Sequence, residues 1–557
     1  MTQSAGQGQL LGSLSSGLLS LVTFQLFARL LTFTLNIVIA RTVDRAAFGV
    51  GSVQLQMVCD TILMLSREGF RDACQRTSPG TGMANTREAW RTTSGRARIL
   101  SVAWLAVPAS TLIGACVLLL SGAFSAPGSD AGGSEAEEAG AAGGGYREAA
   151  VLFAVAAGLE VLGEPLYILA HNLLLIRVRV RVEMAALALK VMVTALCVAL
   201  APLSPLRAFA LGQLAYGASS LVGFTLFFSL SSEGVGFGET VRIVSGVNTF
   251  RALFKASEYP PGGGGGKGDE AGLGDEAGLD GELLRLVGTM SVKAVQKFVL
   301  EKGETLVLLR TFDAGVWGMY AIVQNLGSLV VRLIFLPIED MSQLAFSKLL
   351  SAGDTRAAAR VLGVLVRVVT LVGATGAAFG PGFAYAAVHL LYGPTWSRTA
   401  MPGALAWYSA LVLAMALNGV AEAFVHASAT PTQMARRGVL LLPVTAGYLG
   451  VAVSLAPLLG VRALILANIL NMLLRTVLSA RHALAFFAST KPPAALELSS
   501  LLPATRSSLA LISAGTRTQT SGRGGGGHNV GLGRDGALCW RRRSQGHAAR
   551  VVLCSLA

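Results

Sequence analysis

Charged and amide side chains sit inside stretches of this chain that are otherwise apolar enough to cross a lipid bilayer. Between Gly17 and Ala40, Gln25, Arg29, Thr32 and Asn36 recur at helical steps, so they share one face. Arg29 lies near mid-span, where an unpaired charge costs about 2.5–3.5 kcal/mol. Snorkelling relieves such a cost only near a helix end. The pattern recurs along the chain. Glu160, Glu164, Tyr167 and His171 share a face, as do Lys293, Lys297 and Glu304 with Glu301 close by. Asn418, Glu422 and His426 step by four, Asn468, Asn471 and Arg475 by three and four, and Lys190 and Arg332 lie singly inside apolar runs. One such residue reads as an interhelical hydrogen bond worth about 0.6 kcal/mol. Stripes of both signs in so many spans point instead to a hydrated cavity with internal ion pairs. No CxxC, HExxH or phosphate-binding loop occurs, which argues against a metal enzyme or an ATP-driven pump.

The elements that must carry these residues follow from composition. Hydrophobic residues make up 53% of the 557 and charged residues only 14%, against about 25% for a soluble domain. Candidate spans fall at 17–40, 47–66, 99–124, 149–172, 184–202, 206–230, 286–310, 315–338, 361–381, 402–428, 434–458 and 460–487. The net charge of +14 would suggest nucleic acid in a soluble protein. Here the basic residues gather in alternate short loops, among them Arg76, Arg87, Arg177, Arg181, Lys348, Arg436, Arg437 and Arg481. The loop between spans three and four is acidic. The positive-inside rule therefore places the amino terminus and the basic loops in the cytosol. The six cysteines show no paired spacing, and the residues before Gly17 carry no positive charge of a signal peptide. Pro165, directly after Glu164, and Pro337, two residues before Glu339, should kink their helices.

Residues 231–285 break the hydrophobic rhythm with a glycine-rich core and a duplicated GDEAGL, as expected of a flexible linker. The chain repeats across it. ARTVDRAAFGVGSV at 40–53 matches LRTFDAGVWGMYAI at 309–322, sharing Arg, Thr, Asp and Gly with aromatic on aromatic. An even number of spans per half implies a parallel repeat, with a site between the halves.

LSREGFRDACQR (65–76), LEVLGEPLYILA (159–170), GVWGMYAIVQNLGSLVVRLIFLPIED (315–340), NGVAEAF (418–424) and ILANILNMLLR (465–475) carry a family likeness. Over about 12–490 the chain resembles the Rft family of endoplasmic-reticulum proteins, in a superfamily shared with lipid II flippases and multidrug and toxin extrusion proteins. The resemblance implies an all-α polytopic membrane protein, two six-helix bundles forming a parallel repeat around a central polar cavity. The bundles would be 1–230 and 286–490, joined by the cytosolic linker. Residues 491–515 start like one of the family's two further spans, and 516–557 read as a disordered or aberrant tail.

The resemblance further implies movement of a dolichyl-diphosphate oligosaccharide from the cytosolic to the lumenal leaflet for N-glycosylation, with no cofactor, metal or nucleic acid. The partners would be this lipid-linked oligosaccharide, membrane lipids of the endoplasmic reticulum and proteins of the glycosylation pathway. Matching positions are Arg29, Arg41, Arg67, Glu68, Arg71, Glu164, Lys297, Glu304, Arg332, Glu339, Asn418, Glu422 and Arg475, to which stripe geometry adds Lys190. Guanidinium forks would grip the diphosphate, with Arg29, Arg41, Arg67 and Arg71 as a basic wall. Lys297, Glu304, Glu422 and Arg475 would face them from the other half. A non-transporting assembly factor is the rival reading. A polytopic glycosyltransferase is disfavoured, because the first lumenal loop, Arg41 to Ala46, holds one Asp.

Overall fold

The computed structural model describes residues 30–75, 93–123, 135–173, 175–200, 203–230 and 281–489, with positions 240, 243 and 245. Among them every regular element is helical. Twelve helices follow the expected spans: α1 (Leu30–Thr42), α2 (Arg45–Gln75), α3 (Ile99–Leu120), α4 (Gly145–Asn172), α5 (Ile176–Leu200), α6 (Pro205–Leu230), α7 (Gly281–Thr311), α8 (Ala314–Ser351), α9 (Thr355–Tyr392), α10 (Met401–Ser428), α11 (Pro431–Leu459) and α12 (Arg462–Ser489). Ten of the described helices are long and apolar enough to cross a membrane, which makes this a multi-pass membrane protein. The described part of α1 is too short for that on its own, and α7 is too rich in charge. Most of the 231–285 linker and both carboxyl-terminal segments, 491–515 and 516–557, lie outside the described residues, as does Arg29.

The chain divides into two compact units, Met1–Thr305 and Leu306–Ala557. The division falls inside α7 rather than in the 231–285 linker. Local packing explains why most of α7 stays with the first unit. Its Leu283, Val287 and Met290 join a core with Ala73, Cys74, Leu166, Phe224 and Phe228. A Cβ at Gly69 of α2 would lie 2.8 Å from the backbone nitrogen and Cα of Ser291, so glycine lets the two backbones cross closely there. A second core in this unit joins Leu55, Cys59, Ile62, Phe153, Ala157 and Ala210. In the second unit Phe424 of α10 meets Phe346 of α8 at 5.3 Å and Phe487 of α12 at 5.0 Å between ring centroids.

The repeated segments adopt one local conformation. Thr42 and Thr311 end a helix, Val43 and Phe312 bend, and Asp44 and Asp313 each precede the next helix as its N-cap. Both expected kink sites interrupt their helices. In α4 a turn at Gly163 puts Pro165 in the first turn of a new segment, Glu164–Asn172. In α8 a π-helical turn, Val331–Phe335, precedes Pro337, whose missing N–H removes one backbone donor. Large apolar side chains such as Leu112, Val222, Leu226, Val364 and Val453 point outward, as hydrocarbon contact requires.

Candidate functional site

In the first unit the charged residues assemble as a ladder along α2. Arg71 grips Glu164 with a two-point fork, its Nε donating to Oε1 at 2.6 Å and its Nη2 to Oε2 at 2.7 Å. One turn earlier Arg67 Nη1 donates to Glu160 Oε1. Both partners advance by four residues, so α2 and α4 run parallel with their polar stripes in register. Glu164 is only 1% exposed, so this fork is a desolvated pair, strong only because both partners are present. The Arg71 guanidinium also lies 3.9 Å from the Tyr167 ring centroid, with Arg179 of α5 at 5.0 Å from the same ring. Arg67 Nε and Glu160 Oε2 are buried without a partner among the described residues.

Helix α7 adds further rungs. Lys297 Nζ lies 3.1 Å from Glu68 Oε1, and Lys302 pairs with Asp60 near the middle of α2. At that level Gln56 bridges two groups: Lys190 Nζ donates to its Oε1 at 2.9 Å, and its Nε2 donates to Asp60 Oδ1 at 2.8 Å. A polar chain thus links α5, α2 and α7 at mid-span.

The second unit holds a smaller knot around Glu422. Arg475 Nη2 donates to both of its carboxylate oxygens, at 3.0 and 2.9 Å, and Asn418 Nδ2 donates to Oε2 at 2.8 Å. Arg437 Nη2 reaches Oε1 at 3.4 Å and donates to the buried Ser479 Oγ at 2.7 Å. One turn before Glu422 and Arg475 stand Asn418 and Asn471, both buried, each with its Oδ1 unpartnered among the described residues. Glu339 sits against this knot: a Cβ at Gly419 would come within 2.7 Å of its Oε2.

The expected site residues therefore sort into groups. Arg67, Glu68, Arg71, Glu164, Lys190 and Lys297 come together within the first unit; Glu339, Asn418, Glu422 and Arg475 within the second. Lys297 pairs with Glu68 of α2 within the first unit. Its helix stays there because its apolar face is buried in that unit's core. Glu304 is half-buried on the same helix and also falls within the first unit. Arg41 is exposed at the end of α1. Arg332, exposed on the π-turn of α8, donates to its own helix: to Asn325 O at 2.9 Å and to Asn325 Oδ1 and Ser328 Oγ at 2.8 Å.

Sequence reasoning missed Asp60, Gln56, Lys302, Arg437 and Ser479. Asp60 was legible as the acid in the middle of the second span. Arg437 reads from the sequence as a loop cation, but it lies on the second turn of α11 with its side chain only 12% exposed against Glu422. Among the described residues no group of three His, Cys, Asp or Glu is placed to hold a metal ion.

Similarity to known proteins fits this arrangement. The sequence model described as Rft protein matches residues 13–524. The Dictyostelium discoideum protein named Man(5)GlcNAc(2)-PP-dolichol translocation protein RFT1 is 27% identical over 499 residues, covering 85% of this chain and 86% of its own length. The Xenopus tropicalis protein of the same name is 29% identical over 477 residues, covering 84% and 81%. Among solved structures, an inward-facing multidrug resistance MATE family transporter of the MOP superfamily superposes with a TM-score of 0.56 at 11% identity. It covers 84% of this chain and 96% of its own, a likeness of fold. The family match takes in every described helix and runs past the twelfth to 524, and on that extent the chain belongs to the Rft protein family.

Proposed function

We propose that this protein carries a dolichyl-diphosphate-linked oligosaccharide, five mannoses on two N-acetylglucosamines, from the cytosolic to the lumenal leaflet of the endoplasmic-reticulum membrane for N-glycosylation. The observation that carries this reading is the set of relatives named for that translocation, which align over about 85% of the chain. The chemistry of the chain supports it. A diphosphate crossing hydrocarbon needs positive charge at successive depths, and such charge lies along α2 from Lys302, paired with Asp60, to Arg71. Ion pairs can hand that charge over, because a guanidinium held by a carboxylate can exchange it for a phosphate of like geometry. The polyprenyl tail stays in lipid throughout. No bond is made or broken, and no cofactor is required. The basic loops face the cytosol in this reading, and the amino terminus with them.

The test is translocation of labelled oligosaccharide-lipid in vesicles containing purified protein, followed by a membrane-impermeant lectin. A clear acceleration over protein-free vesicles is expected. Equal rates, with underglycosylation in cells lacking the protein, would assign it to a non-transporting accessory role in the pathway.

A further inference from the structure

We infer that Lys190 and Lys302 form a mid-span seat for the lipid-linked diphosphate, with Asp60 as an internal counter-ion that the diphosphate displaces. The inference rests on the proposed substrate class. Asp60 lies at the middle of α2, about 10 Å before Arg67 along the helix axis. Three helices converge on it: Lys302 from α7 pairs with it directly, and Lys190 from α5 reaches it through Gln56.

Charge balance sets this level apart from the others. Arg67 and Arg71 each meet a carboxylate of their own, Glu160 and Glu164, and Lys297 meets two, Glu68 and Glu301. At the Asp60 level the carboxylate pairs directly with Lys302, and Lys190 reaches it only through the Gln56 amide. The polar contact described for Lys190 is with a neutral amide oxygen, so its charge is poorly compensated where desolvation is costly. An anion with two charged oxygens placed between the lysines would replace both the carboxylate and the amide. Lysine suits a transit point better than arginine, since a flexible point charge releases phosphate more readily than a two-point fork. The pair is also reachable, with side chains 26% and 24% exposed at Lys302 and Asp60.

The experiment uses full-length protein purified in detergent, with farnesyl diphosphate as a short-chain probe and farnesol and inorganic diphosphate as controls. Lys190→Met and Lys302→Met should each weaken farnesyl diphosphate binding roughly tenfold or more. Asp60→Asn should tighten it several-fold, because the competing carboxylate is gone. A purely structural Asp60 would give the opposite sign, and weaker or unchanged binding in Asp60→Asn overturns the seat. If a methionine variant fails to fold, Lys190→Gln and the near-isosteric Asp60→Asn decide the question. Equal affinity for inorganic diphosphate would overturn the lipid as the source of the anion. Tighter binding in Asp60→Asn together with no translocation in vesicles keeps the seat and refutes the transport reading. Translocation with binding unchanged in all variants refutes the seat alone.

Discussion

Removing Glu164 isolates the best-defined interaction in the first unit. Its carboxylate is buried and takes both arms of the Arg71 fork, at 2.6 and 2.7 Å. At this separation the Coulomb attraction is about 6 kcal/mol at an effective dielectric of 20, and much of it is spent on taking both ions out of water. The pair is therefore worth little relative to a well-packed apolar pair. Breaking it is another matter, because Glu164→Ala leaves the guanidinium in a protein interior. Breaking a buried pair costs about 3–5 kcal/mol. Arg71 keeps two compensations, the Tyr167 ring at 3.9 Å and a side chain that is 17% exposed, which place the expected loss near the lower end. The expected destabilisation is thus about 3 kcal/mol for Glu164→Ala and about 1 kcal/mol for the apolar double variant Arg71→Met with Glu164→Leu. Reversible unfolding in mixed micelles, followed by helicity, gives both numbers. A double variant as unstable as the single would refute the argument, because the loss would then come from the fork itself rather than from an orphaned charge.

Around Glu422 the order of losses should be Glu422→Ala, then Arg475→Met, then Arg437→Met. The first leaves two guanidiniums facing each other, and the last removes a long 3.4 Å carboxylate contact and a hydrogen bond to the neutral Ser479 hydroxyl, so unfolding midpoints in any other order would contradict the geometry. Gly69→Ala should destabilise the first unit by about 1–3 kcal/mol, because the backbone of Ser291 blocks its Cβ; Gly419→Ala should be tolerated, because the end of a flexible Glu339 can move aside. Paired melting curves would expose an error if Gly419→Ala were the worse. Arg29→Lys should partly reduce N-glycosylation in cells that depend on this protein, and Arg29→Glu should reduce it far more. A fully active Arg29→Glu at normal abundance would remove Arg29 from the proposed path. A cysteine at Asp130 should react only from the lumenal side of sealed microsomes, and cytosolic labelling would invert the proposed orientation.

The order of the described helices was legible in the sequence, because bilayer thickness fixes the length of an apolar run and loop charge punctuates it. Helical periodicity also gave the polar faces, since Glu160 with Glu164 and Asn418 with Glu422 lie four residues apart within single helices. Even the local likeness of 40–53 and 309–322 was visible, because shared residues in the same order favour the same backbone turn. Periodicity says nothing about the residue on the neighbouring helix. Arg71 lies 93 residues from Glu164, and Lys302 lies 242 from Asp60. Only tertiary packing joined those pairs, and it kept α7 with the first unit where the linker had suggested the second. The close crossing at Gly69 and the apolar face carrying Leu283, Val287 and Met290 hold α7 there. A desolvated charge must find its opposite, but which one it finds depends on how backbones cross, and that is decided by contacts hundreds of residues apart.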